Sequence, residues 1–178
     1  MAKFLYRYLV FNLAFILAAL GLGYITGAIP GFFPAHALIG VLSSLSSILN
    51  LTIVMFYFIS TGSIVKNAAI DKLVDSEDYY RTKKFKASLF PWIMISIISF
   101  LSAPVLGAAY DTGKASLWLH HMGAWEALIV LGITARLSKK LLDENKDIIA
   151  RAIEAVNADV DKRRALANDK RRDSQTTQ

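Results

Sequence analysis

Four long apolar stretches constrain this chain more than any other feature of its sequence. They cover residues 4–29, 35–65, 87–109 and 116–137, and each is long enough to cross about 30 Å of hydrocarbon as an α-helix. Inside a bilayer the backbone has no water to bond, so a helix is the form that such stretches take. The sequence therefore predicts an all-α integral membrane protein whose residues 1–138 form four transmembrane helices in an up-down bundle.

The basic residues fall almost entirely on one side of the membrane that these stretches define. Of the 20 Lys and Arg residues, 19 lie at the start of the first stretch, between the second and third, or at and beyond the end of the fourth. The exception is Lys114. Because insertion retains positive loops in the cytoplasm, we expect a multi-pass protein of the cell inner (cytoplasmic) membrane with both termini cytoplasmic. Its bases then face anionic lipid rather than nucleic acid.

Two further segments are expected on the cytoplasmic side. The charged loop 66–86 carries apolar residues at helical spacing, which predicts a short amphipathic helix on the inner membrane surface. Residues 139–166 continue the helical pattern with an apolar seam repeated every seven residues, which predicts a cytoplasmic amphipathic helix suited to packing on a partner or on itself. The polar residues 167–178 are expected to be disordered. The seam consists of Leu142, Ile149 and Val156.

The chain has no cysteine, which limits the cofactors that it can hold. Disulfides, thiolate metal sites, iron–sulfur clusters and covalent c-type haem attachment all need cysteine. No nucleophile–base arrangement or phosphate-binding loop is present either, so the sequence indicates no independent catalytic activity. Any metal or cofactor must be held by His, Asp, Glu, Met or Tyr.

The three histidines form the one constellation that suggests chemistry. His36 begins the second apolar stretch, and His120 and His121 lie near the start of the fourth. Both stretches run from the outer to the inner side, so His36 and His120 should lie within about a turn of the same level. A parallel duplication of the hairpins 1–66 and 87–140 would also set these two histidines facing each other.

Small residues share the helix faces of these histidines and predict a cleft between them. Gly40 and Ser43 follow His36 on its face, and Gly123 follows His120. Such a cleft leaves room for a flat macrocycle with one imidazole on each side of its iron. The pattern therefore predicts a b-type haem between the second and fourth helices, with His121 as a substitute ligand.

Other interpretations of the same residues stay open. His36 and His120 could instead hold a metal ion, with Asp111 as a further ligand suited to zinc or copper, or they could contact a quinone. The histidines could also be purely structural, because small residues often mark close helix packing. Glu126 and Asn50 are predicted to be buried polar residues that bond to neighbouring helices.

The overall plan is similar to that of small haem-bearing membrane anchors of respiratory enzymes, by analogy only. We therefore expect a subunit of a larger complex that uses its haem for electron transfer or anchoring. The alternative is a structural or assembly protein without a cofactor, which docks other membrane subunits or a second copy through its cytoplasmic helix.

Overall fold

The computed structural model describes residues 1–176, and within them it contains four α-helices and no β-strand. A single 3₁₀ turn, Pro30–Phe32, joins the first two helices. The all-α prediction is confirmed. Short connections make consecutive helices antiparallel, and α1 also packs against α4, which closes the bundle. The helices are α1 (Ala2–Ala28), α2 (Phe33–Ile70), α3 (Ser76–Asp111) and α4 (Leu117–Thr176).

Three of these helices, α1, α2 and α3, are long and apolar enough to cross a membrane. The corresponding part of α4 is less apolar because His120, His121 and Glu126 lie within it. The structure thus supports a helical membrane protein, and the fourth crossing remains part of the proposal below. We call the end of the bundle with the connections 29–32 and 112–116 the outer end.

The segment 66–86 differs from the expected surface helix. Instead, α2 continues to Ile70 and α3 begins at Ser76, so the connection is only residues 71–75. The Asp75 side chain caps α3 by accepting a hydrogen bond from the backbone N–H of Glu77 (3.0 Å). The charges expected to lie on the membrane surface therefore lie on the helix ends. The same 3.6-residue periodicity fits both arrangements, so it could not tell them apart.

The helix α4 is about 90 Å long, at 1.5 Å per residue over its 60 residues. Its inner half packs on the inner ends of α2 and α3, where Arg151 pairs with Asp78 (2.7 Å). Most of the segment expected to be disordered, up to Thr176, is helical, and residues 177–178 lie outside the described part. This stretch contains no glycine or proline, and the helical turn just before it is supported by an ion pair between Arg163 and Asp159 (2.6 Å).

Burial in the core repeats at an interval of 84 residues. Leu5 and Leu9 of α1 are fully buried, and so are Leu89 and Ile93 of α3. The same interval relates buried polar positions of α1 and α3 and of α2 and α4. The two hairpins therefore present matching faces to a common axis, as the parallel duplication predicts. The polar pairs are Asn12 with Ser96, Asn50 with Thr134 and Thr61 with Asn145, and each of these residues is buried.

Candidate histidine site

His36 and His120 meet at the outer end of the bundle. Their ring centroids are 6.1 Å apart, and the ring planes are inclined by 74°. His36 is the fourth residue of α2 and His120 is the fourth residue of α4, so each ring enters the bundle from the first turns of its helix. A third ring, that of His121, lies 6.1 Å from His120. The structure thus brings together the two side chains that the sequence placed at one level.

Each of these histidines lies against a glycine of the preceding helix. A Cβ atom on Gly23 of α1 would be 2.9 Å from Cε1 of His36, and one on Gly107 of α3 would be 3.1 Å from Cε1 of His120. Both glycines precede their histidine by thirteen residues. A Cβ on Gly23 would force the His36 ring to move, and a Cβ on Gly107 would push the His120 ring by a few tenths of an ångström. Each hairpin therefore packs its histidine ring against a glycine of the preceding helix.

The ring of His36 is oriented by a backbone hydrogen bond. Its Nδ1 lies 3.0 Å from the carbonyl oxygen of Ala19. A carbonyl can only accept, so Nδ1 donates and the neutral ring carries its lone pair on Nε2. The equivalent carbonyl on α3, that of Ala103, lies near His120, but the buried Nδ1 of His120 makes no hydrogen bond of ordinary geometry.

A cavity of about 690 Å³ surrounds the two rings between all four helices. Gly40 lines it, and no atom lies within 4 Å of where a Cβ on Gly40 would be. Ser43 also lines it, although its hydroxyl donates to the Gly40 carbonyl (2.9 Å). Gly123 lies elsewhere: it packs on Leu106 of α3 and does not line the cavity. The other glycines and alanines that line it are Ala19, Gly23, Gly27, Ala37, Ala103, Gly107, Ala108, Ala124 and Ala127.

His121 faces the same cavity but is engaged differently. Its ring lies 5.2 Å from Tyr24 in an edge-on arrangement. The Tyr24 hydroxyl accepts a hydrogen bond from Nε1 of Trp125 (3.2 Å). The rings of His121, Tyr24 and Trp125 therefore form a continuous row from the cavity to the face of α4 that points away from the bundle. The sequence offered no sign of the part that Tyr24 plays, because a tyrosine near a helix end is typical of any membrane crossing.

Asp111 lines the cavity as well, yet it does not complete a metal site. Among residues 1–176, no three His, Asp or Glu side chains are close enough together to hold a metal ion. The predicted set of His36, His120 and Asp111 is therefore not assembled in this structure. Asp111 closes α3, and its helix end places it at the rim of the cavity.

The two predicted buried polar residues have different surroundings. Asn50 is fully buried, and neither its amide oxygen nor its nitrogen has a hydrogen-bond partner in the described protein. Glu126 is exposed on the side of α4, contrary to the prediction, because six residues rotate it away from His120. It does bond to a serine of the neighbouring helix, with Ser99 Oγ 2.8 Å from its Oε1.

Comparisons of the chain with protein-family models, with curated proteins and with solved structures found no match. The site geometry is therefore the basis for the function proposed below.

Proposed function

We propose that this chain is a four-span membrane protein that binds a b-type haem in the outer cavity, with His36 and His120 as axial ligands. The observation that carries the proposal is the 6.1 Å separation of the two imidazole rings inside a cavity of about 690 Å³. With metal–nitrogen bonds of about 2 Å on each side, two imidazoles across one metal have centroids roughly 6 Å apart. The separation of the rings therefore suits two imidazoles that would hold one metal between them.

The hydrogen bond of His36 supports a ligand role. Histidines that bind metals nearly always donate their other ring N–H to a carbonyl or carboxylate, which fixes the ring and its tautomer. The Ala19 carbonyl does this for Nδ1 of His36 and leaves the Nε2 lone pair available. Ala103 occupies the equivalent place beside His120. A small adjustment of that ring on binding would form the matching bond.

The shape and composition of the cavity favour a macrocycle over a single ion. Its volume falls within the usual 300–1,000 Å³ of small-molecule sites. Glycines and alanines from all four helices line it, so a flat group can approach the backbone closely. Two imidazoles suffice for haem because the macrocycle supplies the other four nitrogens, whereas structural zinc sites usually take four protein ligands. A haem held here would supply one-electron redox chemistry, either for electron transfer or for anchoring within a larger complex.

The charge distribution supports the proposed topology. Lys3 and Arg7 lie at the inner end of α1, and the basic inner ends of α2, α3 and α4 lie at the same end of the bundle. Retention of positive segments in the cytoplasm would place both termini there and make α4 the fourth crossing of the inner membrane. The histidine cavity would then open near the outer face.

The visible spectrum of the purified full-length protein, together with iron analysis, tests the haem. We expect a Soret band and a low-spin spectrum, and His36→Ala and His120→Ala should each abolish the low-spin spectrum. His121→Ala is the matched control and should keep it, because His121 contacts Tyr24. Absence of both the Soret band and iron would rule out the haem. Bound zinc or copper without a Soret band would indicate that the histidines hold a metal ion and not a haem.

The second candidate is a cofactor-free structural or assembly protein. Beyond Ala152 no residue of α4 up to position 172 is buried, and Ile153, Val160 and Leu166 are exposed. Exposed apolar side chains along a free helix are suited to a partner or a second copy. Truncation after Asn157 removes the outermost two of these without removing any buried residue of the core. Loss of a complex on truncation, in a protein that shows no Soret band, would favour this role, and an unchanged assembly state would exclude it.

A further inference from the structure

The face of α4 that points away from the bundle carries a carboxyl group in apolar surroundings. Glu126 lies six residues below His120, which is about 9 Å along the helix axis and inside the predicted crossing. A carboxylate at such a depth is unfavourable because lipid tails offer it neither water nor a hydrogen-bond donor. Residues of this kind usually face the bundle interior, but Glu126 is exposed on its flank. Its position therefore calls for a partner from outside the bundle.

Among the residues that the structure describes, the carboxyl group has one hydrogen-bond partner, Ser99, and that hydroxyl is shared with a second acceptor. Ser99 Oγ lies 2.8 Å from Oε1 of Glu126 and 2.9 Å from the carbonyl oxygen of Ile95. A hydroxyl has a single proton, so Ser99 can donate to only one of these acceptors at a time. Glu126 therefore keeps oxygen lone pairs available for another hydrogen-bond donor.

The surroundings of Glu126 form a shallow pocket of about 310 Å³, which we call the Glu126 pocket. Trp118, Met122 and Trp125 follow one another at helical spacing along one side, and all three are exposed. Ile129 and Val130 also line it. The volume suits a single ring system, and the two indoles offer flat faces on which such a ring can stack.

We propose that the Glu126 pocket binds the head group of a membrane hydroquinone. The occupant must dissolve in the bilayer, present a flat ring to Trp118 and Trp125, and donate a hydrogen bond to Glu126. A hydroquinone meets all three requirements. The location also fits a redox partner, because Trp125 bonds to Tyr24, and Tyr24 contacts His121 beside the histidine cavity. Binding itself does not depend on the proposed haem.

Contact quenching by brominated lipid tests this site. Trp92→Phe leaves Trp118 and Trp125 as the only tryptophans, and nanodiscs with brominated acyl chains should quench both. A decyl hydroquinone kept reduced should displace lipid and restore the fluorescence with saturation. Glu126→Leu should raise the half-saturating concentration at least tenfold. Ile133→Ala, two turns along the lipid-facing side of α4 and outside the pocket, is the control and should leave it unchanged.

The same titration separates this proposal from the haem. In the His36→Ala and His120→Ala double variant, which lacks both proposed ligands, hydroquinone should still restore fluorescence at the same concentration. An equal response in Glu126→Leu would overturn the site. Failure of brominated lipid to quench either tryptophan would also overturn the site, because a protein partner would then cover the pocket.

Discussion

At the scale of single residues, Gly23 decides how closely His36 can approach α1. An added Cβ would lie 2.9 Å from Cε1 of the ring, closer than real Cβ contacts. We predict that Gly23→Ala displaces the ring, weakens the Ala19 hydrogen bond and costs about 1–3 kcal/mol of stability through overpacking. Thermal unfolding measures the cost. If the proposed haem is bound, loss of its low-spin spectrum would report the displacement of His36.

Gly21→Ala is the matched control for this prediction. It lies on the same helix, and nothing is within 4 Å of its added Cβ. Alanine is the better helix former by about 1 kcal/mol, so this variant should be as stable as the parent or more so. Equal behaviour of the two variants would contradict the close contact of His36 with α1.

Asn50 and Asn12 are both fully buried asparagines with opposite hydrogen-bond status. Asn12 Oδ1 accepts from Ser46 Oγ (2.7 Å), whereas neither amide atom of Asn50 has a partner in the described protein. An unpaired buried polar group costs about 1–3 kcal/mol. We therefore predict that Asn50→Leu is neutral or stabilising, and that Asn12→Leu lowers stability by about 1 kcal/mol. Chemical unfolding in detergent compares the two. A comparable loss for Asn50→Leu would mean that a bound water or ligand pairs with it.

At the scale of whole helices, α2 and α3 end in turns that have the same hydrogen-bonding pattern. The two turns differ in the residue at the left-handed position. Leu73 N–H donates to the Ala68 carbonyl (2.9 Å) at the end of α2, and Lys114 N–H donates to the Ala109 carbonyl (2.8 Å) at the end of α3. The left-handed position is Lys72 (φ 56°) in the first turn and Gly113 (φ 71°) in the second. Glycine is the residue that adopts this conformation without strain.

Exchanging the residue type at these two turns should change stability in opposite directions. Lys72→Gly should raise the free energy of unfolding, and Gly113→Ala should lower it by about 1 kcal/mol, because the left-handed conformation costs roughly 1–2 kcal/mol for a side-chain-bearing residue. Both turns are exposed, so packing changes little. Thermal melts of the two single variants measure the effect. A lower melting temperature for Lys72→Gly would mean that the lysine side chain stabilises the turn in another way.

The helices could be predicted from the sequence better than their connections could. Apolar length predicted α1, α2 and α3, because a bilayer leaves such stretches no other regular structure. The charged segment 66–86 could not be assigned, since a surface helix and two extended bundle helices have the same periodicity. Packing decides between them: Phe85, Val65 and Ile148 are buried together in one core cluster at the inner end.

The candidate site, too, could be predicted from the sequence only in part. The level of His36 and His120 followed from helix direction and residue count, and their meeting is now observed. The roles of Gly23 and Gly107 were hidden, because a sequence does not fix how each helix rotates about its axis. The signal was nevertheless present: each glycine stands thirteen residues before its histidine. The same rotation explains why Gly123 faces Leu106 and not the cavity.

At the scale of the whole molecule, the matched halves explain why the histidines meet. Residues 84 apart in the chain face each other across the bundle axis at two levels: His36 opposite His120, and Thr61 opposite Asn145, whose Nδ2 donates to Thr61 Oγ1 (3.0 Å). Because the parallel helices α2 and α4 are in register at both of these levels, they are also in register along the segment that lies between the two levels. The axis therefore passes through the cavity, and a flat ligand held by equivalent residues of each hairpin would lie across it.

The orientation of this bundle in the membrane can be measured directly because the chain has no cysteine. Any introduced cysteine is then the only thiol. With the proposed topology, Gly31→Cys and Thr112→Cys in the outer connections should react with an impermeant maleimide added to intact spheroplasts. Asp71→Cys, in the inner connection, should react only after the membrane is permeabilised. Thr112 lies just before α4, as Gly31 lies just before α2. If Thr112→Cys is labelled from outside and the C-terminal part of α4 is cytoplasmic, α4 must cross the membrane. Lys170→Cys tests that last condition, and its labelling in intact spheroplasts would refute the fourth crossing.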